Sequence, residues 1–233
     1  MVRQRWLFRK VLDGSDPGSL STRLRRRRFA FFGALLDRVA KPIRILDVGG
    51  TPAFWQMMES SERRDLEITL LNLFDIERPP PHFHCVVGDA RDLTRFADRE
   101  FDVVFSNSVI EHVGNYGDQQ KMAEGVRRVG KRYFVQTPNK YFPIEPHFFV
   151  PLFQFLPITG RAWLLNHFDL GWYKREPDYQ AAKREVEAIR LLTEGELMRL
   201  FPEGVLSKER FFGFTKSLTV YHGWDRPQWR TPP

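Results

Sequence analysis

The stretch ILDVGGTPAFW, from Ile45 to Trp55, has the residue types of a ligand-binding turn. An apolar run ends near an aspartate, Asp47, and two glycines follow at once, Gly49 and Gly50. Because glycine has no Cβ, the backbone at such a turn can approach a ligand closely. The turn is therefore a candidate binding site.

Three later apolar runs also end in polar residues, at Asn72, Asp89 and Asn107. In an open α/β sheet, ligands bind at the carboxyl ends of the strands. We therefore expect these side chains to lie at the same edge of the sheet as Asp47. The predicted strands are 44–50, 67–73, 84–88, 101–107 and 131–137.

Helices are predicted between these strands, which indicates a Rossmann-like, mostly parallel α/β sheet. Thr51 is the expected N-cap of a helix over 52–60, and further helices are predicted over 118–129, over 178–192 and from the capping box at 193–196. Two late strands, 205–212 and 217–221, are separated only by GFTK. A link this short excludes a crossover helix, so the sheet is predicted to end in an antiparallel hairpin.

The composition is that of a globular protein. The chain has 233 residues, of which 42% are hydrophobic, and we expect a single domain over 1–233. One cysteine, Cys85, excludes a disulfide framework and a thiolate metal cluster, and no other metal site is predicted. No apolar run approaches the ~20 residues of a membrane-spanning helix, so a cytoplasmic location is expected.

The N-terminal segment 1–43, predicted to be helical, is strongly basic. Residues 1–44 have a net charge of +9, against −2 for the rest of the chain. The segment contains RLRRRR followed by FAFFGALL. Either its phenylalanines pack on the body while the arginines face solvent, or it is a basic amphipathic element that binds an anionic membrane surface or phosphates. A peripheral membrane contact therefore stays open.

In order and spacing, these signals resemble class I S-adenosylmethionine-dependent methyltransferases of the small-molecule, type-11-like kind, over residues 40–140 and 193–223. The resemblance implies S-adenosylmethionine as cofactor and a methyltransferase activity. It also implies the residues that bind the cofactor, which are Asp47, Gly49, Gly50, Asn72, Asp89, Ala90 and Asn107.

The resemblance also implies roles for five of these residues, among them Ala90, whose backbone N–H would face the adenine ring. Asp47 would help to hold the ammonium group of the cofactor, Asp89 would accept from the adenine amino group, and Asn107 would lie beside the transferable methyl group. Asn72 stands where the family usually has an acid that binds the ribose. Since asparagine accepts through one oxygen only, we expect a weaker contact there, and we expect Asn72→Asp to tighten cofactor binding.

A general base is needed only if the acceptor must lose a proton, as a hydroxyl does. His112 and His147 are the predicted catalytic residues, because imidazole titrates near neutrality. Glu145, two residues before His147, is a candidate to orient it. Both histidines could instead be hydrogen-bonded residues of the pocket wall.

An aromatic-rich cap insert is predicted over 138–176. It contains ten aromatic residues and five prolines, which suits the roof of an apolar acceptor pocket. Five of its apolar residues could equally pack the insert against the body: Phe148, Phe149, Phe153, Phe155 and Leu156.

The sequence therefore predicts a methyltransferase acting on a small-molecule or lipid-like acceptor, with oxygen favoured over nitrogen. Two alternatives stay open: a non-catalytic methyltransferase-like scaffold, and an RNA methyltransferase that uses the basic arm. A nucleic-acid substrate is disfavoured, because the chain reads NSVI at 107–110, where enzymes that methylate base amino groups carry an Asn/Asp-Pro-Pro-aromatic motif.

Overall fold

The computed structural model describes residues 20–58, 63–76 and 79–224, with side chains from residue 25 onward. Residues 1–19 of the predicted basic segment and residues 59–60 of the predicted helix over 52–60 lie outside the described residues. What is predicted for residues 1–19 stays a prediction.

The described strands form one seven-stranded sheet in the order β3-β2-β1-β4-β5-β7-β6. All neighbouring strands from β3 to β5 pair in parallel, and β7 pairs antiparallel with both β5 and β6. The predicted Rossmann-like sheet with a terminal antiparallel hairpin is therefore confirmed. The strands are β1 Ile43–Val48, β2 Leu66–Asn72, β3 Phe83–Val87, β4 Val103–Asn107, β5 Tyr133–Pro138, β6 Val205–Phe211 and β7 Phe214–His222.

The hairpin link is shorter than predicted, since β7 begins at Phe214 and not at residue 217. The two residues between the strands, Phe212 and Gly213, have φ values of 47° and 81°. Positive φ at both central positions is the geometry of a type I′ turn, whose twist matches that of the paired strands. The sequence GFTK therefore belongs largely to β7.

Six α-helices lie in the described part of the chain. They are α1 Leu20–Leu36, α2 Pro52–Met57, α3 Tyr116–Val129, α4 Ile158–His167, α5 Tyr179–Glu187 and α6 Glu194–Leu200. Helix α6 begins with the predicted capping box, in which Thr193 and Glu196 bond each other's backbone N–H groups. Among these helices, none is long and apolar enough to span a bilayer.

Four helices depart from the prediction. α2 ends at Met57, with Met58 as its C-cap, and not at residue 60. α3 starts two residues early, because Asn115 caps it and forms a capping box with Asp118. α5 ends at Glu187, because the following chain is drawn to the end of β5, where Lys140 N–H donates to the carbonyl of Leu192 at 3.0 Å. α4, inside the cap insert, was not predicted.

Helix α1 packs its phenylalanines against one face of the sheet. Phe32 is fully buried, with its ring centre 4.5 Å from that of Phe105 and 5.0 Å from that of Phe134. Phe29 and Leu35 are buried in the same cluster. The first alternative for this helix is therefore correct for the phenylalanines, and the membrane contact stays a prediction.

The cap insert is divided between core and surface. Phe148 and Phe153 are buried in a small cluster with α4 and α5, whereas Phe155 and Leu156 are exposed. Phe149 is only partly buried. Part of the insert thus packs against the body, and part leaves apolar surface beside the carboxyl edge of the sheet.

Candidate active site

The turn after β1 requires glycine at position 49. Gly49 has a φ of 81°, and its N–H donates to the carbonyl of Leu71 at 2.8 Å, which ties the turn to β2. A Cβ at this position would lie 2.5 Å from Cγ2 of Val109. At the carboxyl end of β1, the backbone therefore has no side chain that would block a ligand, as the sequence predicts for a ligand-binding turn.

Asp47 lies beneath this turn and is almost fully buried. Its Oδ2 accepts a hydrogen bond from the indole Nε1–H of Trp55 at 2.7 Å. Burial raises the pKa of Asp47 to about 7, although the bond from Trp55 acts in the opposite direction. Trp55 was not among the predicted site residues, although an indole N–H one helix turn into α2 can donate to a buried acid.

The side chain of Asn72 makes a structural hydrogen bond that the sequence did not predict. Its amide Nδ2–H donates to the backbone carbonyl of Gly50 at 2.8 Å, so the side chain ties the end of β2 to the β1 turn. A carboxylate has no proton to donate there. This explains the presence of asparagine at a position where an acid was expected, and its Oδ1 remains a candidate acceptor for a ribose hydroxyl.

The bond from Asn72 to Gly50 reverses the expected effect of Asn72→Asp. The variant would lose this donor and place a carboxylate against a carbonyl oxygen. We now expect cofactor affinity to fall about fivefold to tenfold, which corresponds to the loss of one hydrogen bond worth about 1 kcal/mol. Titration calorimetry with S-adenosylmethionine measures the effect, with Glu67→Gln on an exposed position of β2 as the control. Tighter binding by Asn72→Asp would contradict this result and would support the expectation from the sequence that an acid binds the ribose more strongly.

Asp89 follows the end of β3, as predicted, but its carboxylate already has partners. It accepts from the backbone N–H of Arg91 at 2.8 Å and from the Arg91 guanidinium, whose Nε lies 2.9 Å from Oδ2. The hydrogen bond from the Arg91 side chain holds the pKa of Asp89 below its usual range. A bond to an adenine amino group would have to be shared with Arg91. Ala90, predicted beside the adenine ring, is partly buried next to it.

Asn107, at the end of β4, receives a hydrogen bond from helix α1. Nη1 of Arg28 donates to its Oδ1 at 3.1 Å, and Nε of Arg28 lies 3.7 Å from Oε2 of Glu209. Burial lowers the pKa of Arg28, and the nearby acids Glu209 and Glu111 oppose that shift. The sequence analysis left the arginines of this helix facing outward, whereas Arg28 faces the candidate site.

Exposed apolar side chains lie at the ends of two strands. Leu73 and Phe74 follow β2, and Val87 ends β3, and all three are more than half exposed, at 74%, 61% and 52%. Apolar side chains at such positions can bury the face of an aromatic ligand. The sequence analysis missed them, because LLNLF resembles the buried interior of a strand.

Four further residues meet at the ends of β4 and β5. Glu111 and His112 lie on a short 3₁₀ helix after β4, and His147 comes from the cap insert. The two Nε2 atoms of the histidines are 3.1 Å apart, and Nδ1 of His147 lies 2.7 Å from Oε1 of Glu145. The structure therefore brings together both predicted catalytic histidines, and the predicted contact of Glu145 with His147 is present.

The charges of this group are set by its surroundings. Burial raises the pKa of Glu111 to about 7. Desolvation, reinforced by His147, lowers the pKa of His112 to about 4, although the residue keeps an exposed edge. Burial also lowers the pKa of His147, but Glu145 outweighs it and the net shift is upward. The two histidines thus differ in basicity while facing each other.

Comparison with known proteins agrees with this architecture. A family model described as a methyltransferase domain matches residues 62–133. An uncharacterized protein of Mycobacterium tuberculosis is 34% identical over 66 residues, which cover 28% of this chain and 22% of that protein. The match thus spans about a fifth of the relative's length.

Two solved structures share the fold. A SAM-dependent methyltransferase from Archaeoglobus fulgidus has a TM-score of 0.55 at 11% identity, covering 93% of this chain and 98% of its own. The 1,6-didemethyltoxoflavin-N1-methyltransferase of Burkholderia thailandensis, solved with bound 1,6-didemethyltoxoflavin and S-adenosylhomocysteine, has a TM-score of 0.52 at 14% identity, covering 94% of this chain and 85% of its own.

The chain therefore has the fold of these S-adenosylmethionine-dependent methyltransferases, and over residues 62–133 it matches a methyltransferase domain. The predicted resemblance is confirmed to this extent, whereas cofactor binding and methyl transfer by this chain are proposals. The roles of the individual site residues stay predictions.

Proposed function

We propose that this protein binds S-adenosylmethionine at the carboxyl ends of β1 to β4 and transfers its methyl group to an oxygen of a small-molecule or lipid-like acceptor. The observation that carries the proposal is the bare turn at Gly49 and Gly50, which stands over a buried Asp47 and is flanked by polar ends of neighbouring strands. This is the sheet edge at which ligands of open α/β folds bind.

Methyl transfer to a hydroxyl requires few groups. The acceptor O–H loses its proton, a lone pair of the oxygen forms the new O–C bond, and the C–S bond breaks with its electron pair going to sulfur. The product of the cofactor is S-adenosylhomocysteine. The protein must align these atoms and assist loss of the proton. We assign the second task to the group around His112 and His147, which follows Asn107 on the short 3₁₀ helix and in the cap insert.

The character of the acceptor is inferred from the cap insert. Tyr141, Leu152, Phe155, Trp163 and Trp172 are large apolar residues of the insert with exposed side chains. Apolar surface of this extent suits an acceptor with a substantial apolar part, since burial of such a part is favourable by about 25 cal/mol per Å².

The cofactor part of the proposal is tested by titration calorimetry with S-adenosylmethionine and S-adenosylhomocysteine. We expect a saturable site for both ligands. The acceptor part is tested with methyl-labelled cofactor and separate lipid and polar metabolite extracts, and we expect labelled product in the lipid extract. Absence of cofactor binding by the folded chain would contradict the proposal and leave the non-catalytic scaffold.

That scaffold is the second candidate, and two contacts favour it. The carboxylate of Asp89 is held by Arg91, and Arg28 occupies the side chain of Asn107. Both contacts engage residues that the cofactor would need. Cofactor binding therefore distinguishes the two functions directly.

Helix α1 also supports a proposed membrane contact. Arg26 and Arg27 are exposed beside the buried Phe29, so the helix presents positive charge to solvent while its apolar side packs on the sheet. An arginine near an anionic surface contributes about 1 kcal/mol. Such a contact would bring the protein to a lipid acceptor.

We expect the full chain to sediment with phosphatidylserine vesicles at low salt, and the double variant Arg26→Glu, Arg27→Glu to lose most of that binding. Vesicles of phosphatidylcholine alone are the control for the lipid, and Arg38→Glu, two residues beyond the end of α1, is the control for a charge reversal elsewhere on the surface. Equal sedimentation of the double variant and the parent chain would rule out this surface as the membrane contact.

A further inference from the structure

The group at the ends of β4 and β5 has the composition of a metal site. Glu111, His112 and His147 each place one oxygen or nitrogen atom within 4.8 Å of those of the other two. Two histidines and one carboxylate are a common ligand set for divalent transition metals, to which imidazole nitrogen binds well.

The spacing of the two histidines fits a shared ion. Their Nε2 atoms face each other at 3.1 Å. Two nitrogens bound to one ion at about 2.0–2.1 Å in a tetrahedral arrangement would be about 3.3 Å apart. The same distance also allows a direct N–H···N hydrogen bond, so the histidines alone do not establish the site.

Glu111 supplies an independent observation. The residue is fully buried, and only its Oε2 has a partner, the hydroxyl of Thr137 at 2.9 Å. Its Oε1 is buried and has no hydrogen-bond partner in the part of the chain that the structure describes. A buried carboxylate oxygen left without a partner is costly, and an ion held with the two histidines would satisfy it.

Glu145 fixes the direction of His147. Its Oε1 lies 2.7 Å from Nδ1 of His147, and its Oε2 accepts from the backbone N–H groups of His147 and Phe148, both at 2.7 Å. Because a carboxylate only accepts, Nδ1 carries the proton, and the lone pair of Nε2 points toward His112. A carboxylate behind a histidine in this way is the usual outer support of a metal ligand.

We propose that Glu111, His112 and His147 bind a divalent transition-metal ion, with Glu145 as a positioning residue. Three protein ligands leave coordination positions open, and the exposed edge of His112 gives access from solvent. An ion there would act as a Lewis acid that lowers the pKa of an acceptor hydroxyl. This role rests on the proposed methyl transfer, whereas binding of the ion does not.

The test uses the full chain after treatment with a chelator. Titration calorimetry with Zn²⁺ should show one saturable site, and Co²⁺ should give the visible absorption of a nitrogen-ligated ion. His112→Ala, His147→Ala and Glu111→Gln should each weaken Zn²⁺ binding at least 100-fold, and Glu145→Gln should weaken it about 10- to 100-fold. His84→Ala, at an exposed position on β3, is the matched control.

The Glu111→Gln variant is nearly isosteric, so it separates loss of a ligand from loss of the fold, which thermal unfolding checks for every variant. A chain that binds neither ion, or that binds Zn²⁺ equally well after His112→Ala and His147→Ala, would overturn the proposal. Calorimetry with S-adenosylmethionine in the metal-free protein is a separate measurement. Failure of the ion site would therefore leave the proposed cofactor binding intact, and the reverse holds as well.

Discussion

Gly50→Ala should reduce cofactor binding about 100-fold or more. A Cβ at this position would lie 1.7 Å from Oδ2 of Asp47, a separation that no packed structure permits. Asp47 cannot simply turn away, because the same oxygen accepts from Trp55 at 2.7 Å. Either the turn or the buried acid must move, and overpacking of this kind typically costs about 1–3 kcal/mol of stability as well.

Gly160→Ala is the matched control for this substitution. Gly160 lies in helix α4, and a Cβ there would meet nothing within 4 Å. In a helix, alanine is favoured over glycine by about 1 kcal/mol, so the control should be neutral or slightly stabilised. Calorimetric titration and thermal unfolding of both variants measure the two effects. Wild-type affinity in folded Gly50→Ala would show that the turn does not contact the cofactor.

Cofactor affinity should depend on pH through Asp47. Burial raises its pKa to about 7 in the free protein, so about half of the molecules hold this proton at neutral pH. The ammonium group of the cofactor favours the ionised carboxylate. Affinity should therefore be greatest above pH 7 and fall by up to about tenfold per pH unit below it, or about 50-fold between pH 7 and pH 5.

Asp47→Asn is the control, because its amide oxygen can still accept from Trp55 while the side chain no longer titrates. The variant should bind weakly, with much less dependence on pH over this range.

The free energy of unfolding of the parent chain should also depend on pH through Asp47. Since an unfolded aspartate has a pKa near 3.9, the folded protein retains the proton from about pH 4 to 7, and stability should fall as pH rises through that window. The parent chain should show this loss and Asp47→Asn should not.

The sheet could be predicted because its signals are local. Each strand is a short apolar run bounded by turn residues, and the close spacing of the last two runs left antiparallel pairing as the simple solution. Element ends were less predictable, because tertiary contacts decide them. Helix α5 ends at Glu187 because Leu192 pairs with the end of β5, and no residue type near 187 predicts this contact.

The sequence predicted which residues lie in the site, but it did not predict their hydrogen-bond partners. The sequence identified Asp47 and Asn72, because polar residues after apolar runs must gather at one edge of a parallel sheet. It identified both histidines, because imidazole titrates near neutrality. It did not reveal that Asn72 donates to Gly50, or that Arg28 reaches Asn107 from 79 residues away. Such contacts depend on side-chain direction and on the docking of α1, which periodicity does not encode.

The position of helix α1 also sets an order of events during synthesis. The helix leaves the ribosome early and is followed soon by Phe54 and Trp55 of α2, whose rings contact Phe29. The other aromatic residues that cover it belong to β4, β5 and β7, and the indole of Trp224 donates to the carbonyl of Leu35 across 189 residues. At about 5–20 residues per second, the segment around Phe29 and Phe32 waits roughly 10–40 s for its last neighbours. We expect nascent chains to leave part of this apolar segment uncovered during that time, and the arginines of α1 to help keep the unfinished chain soluble.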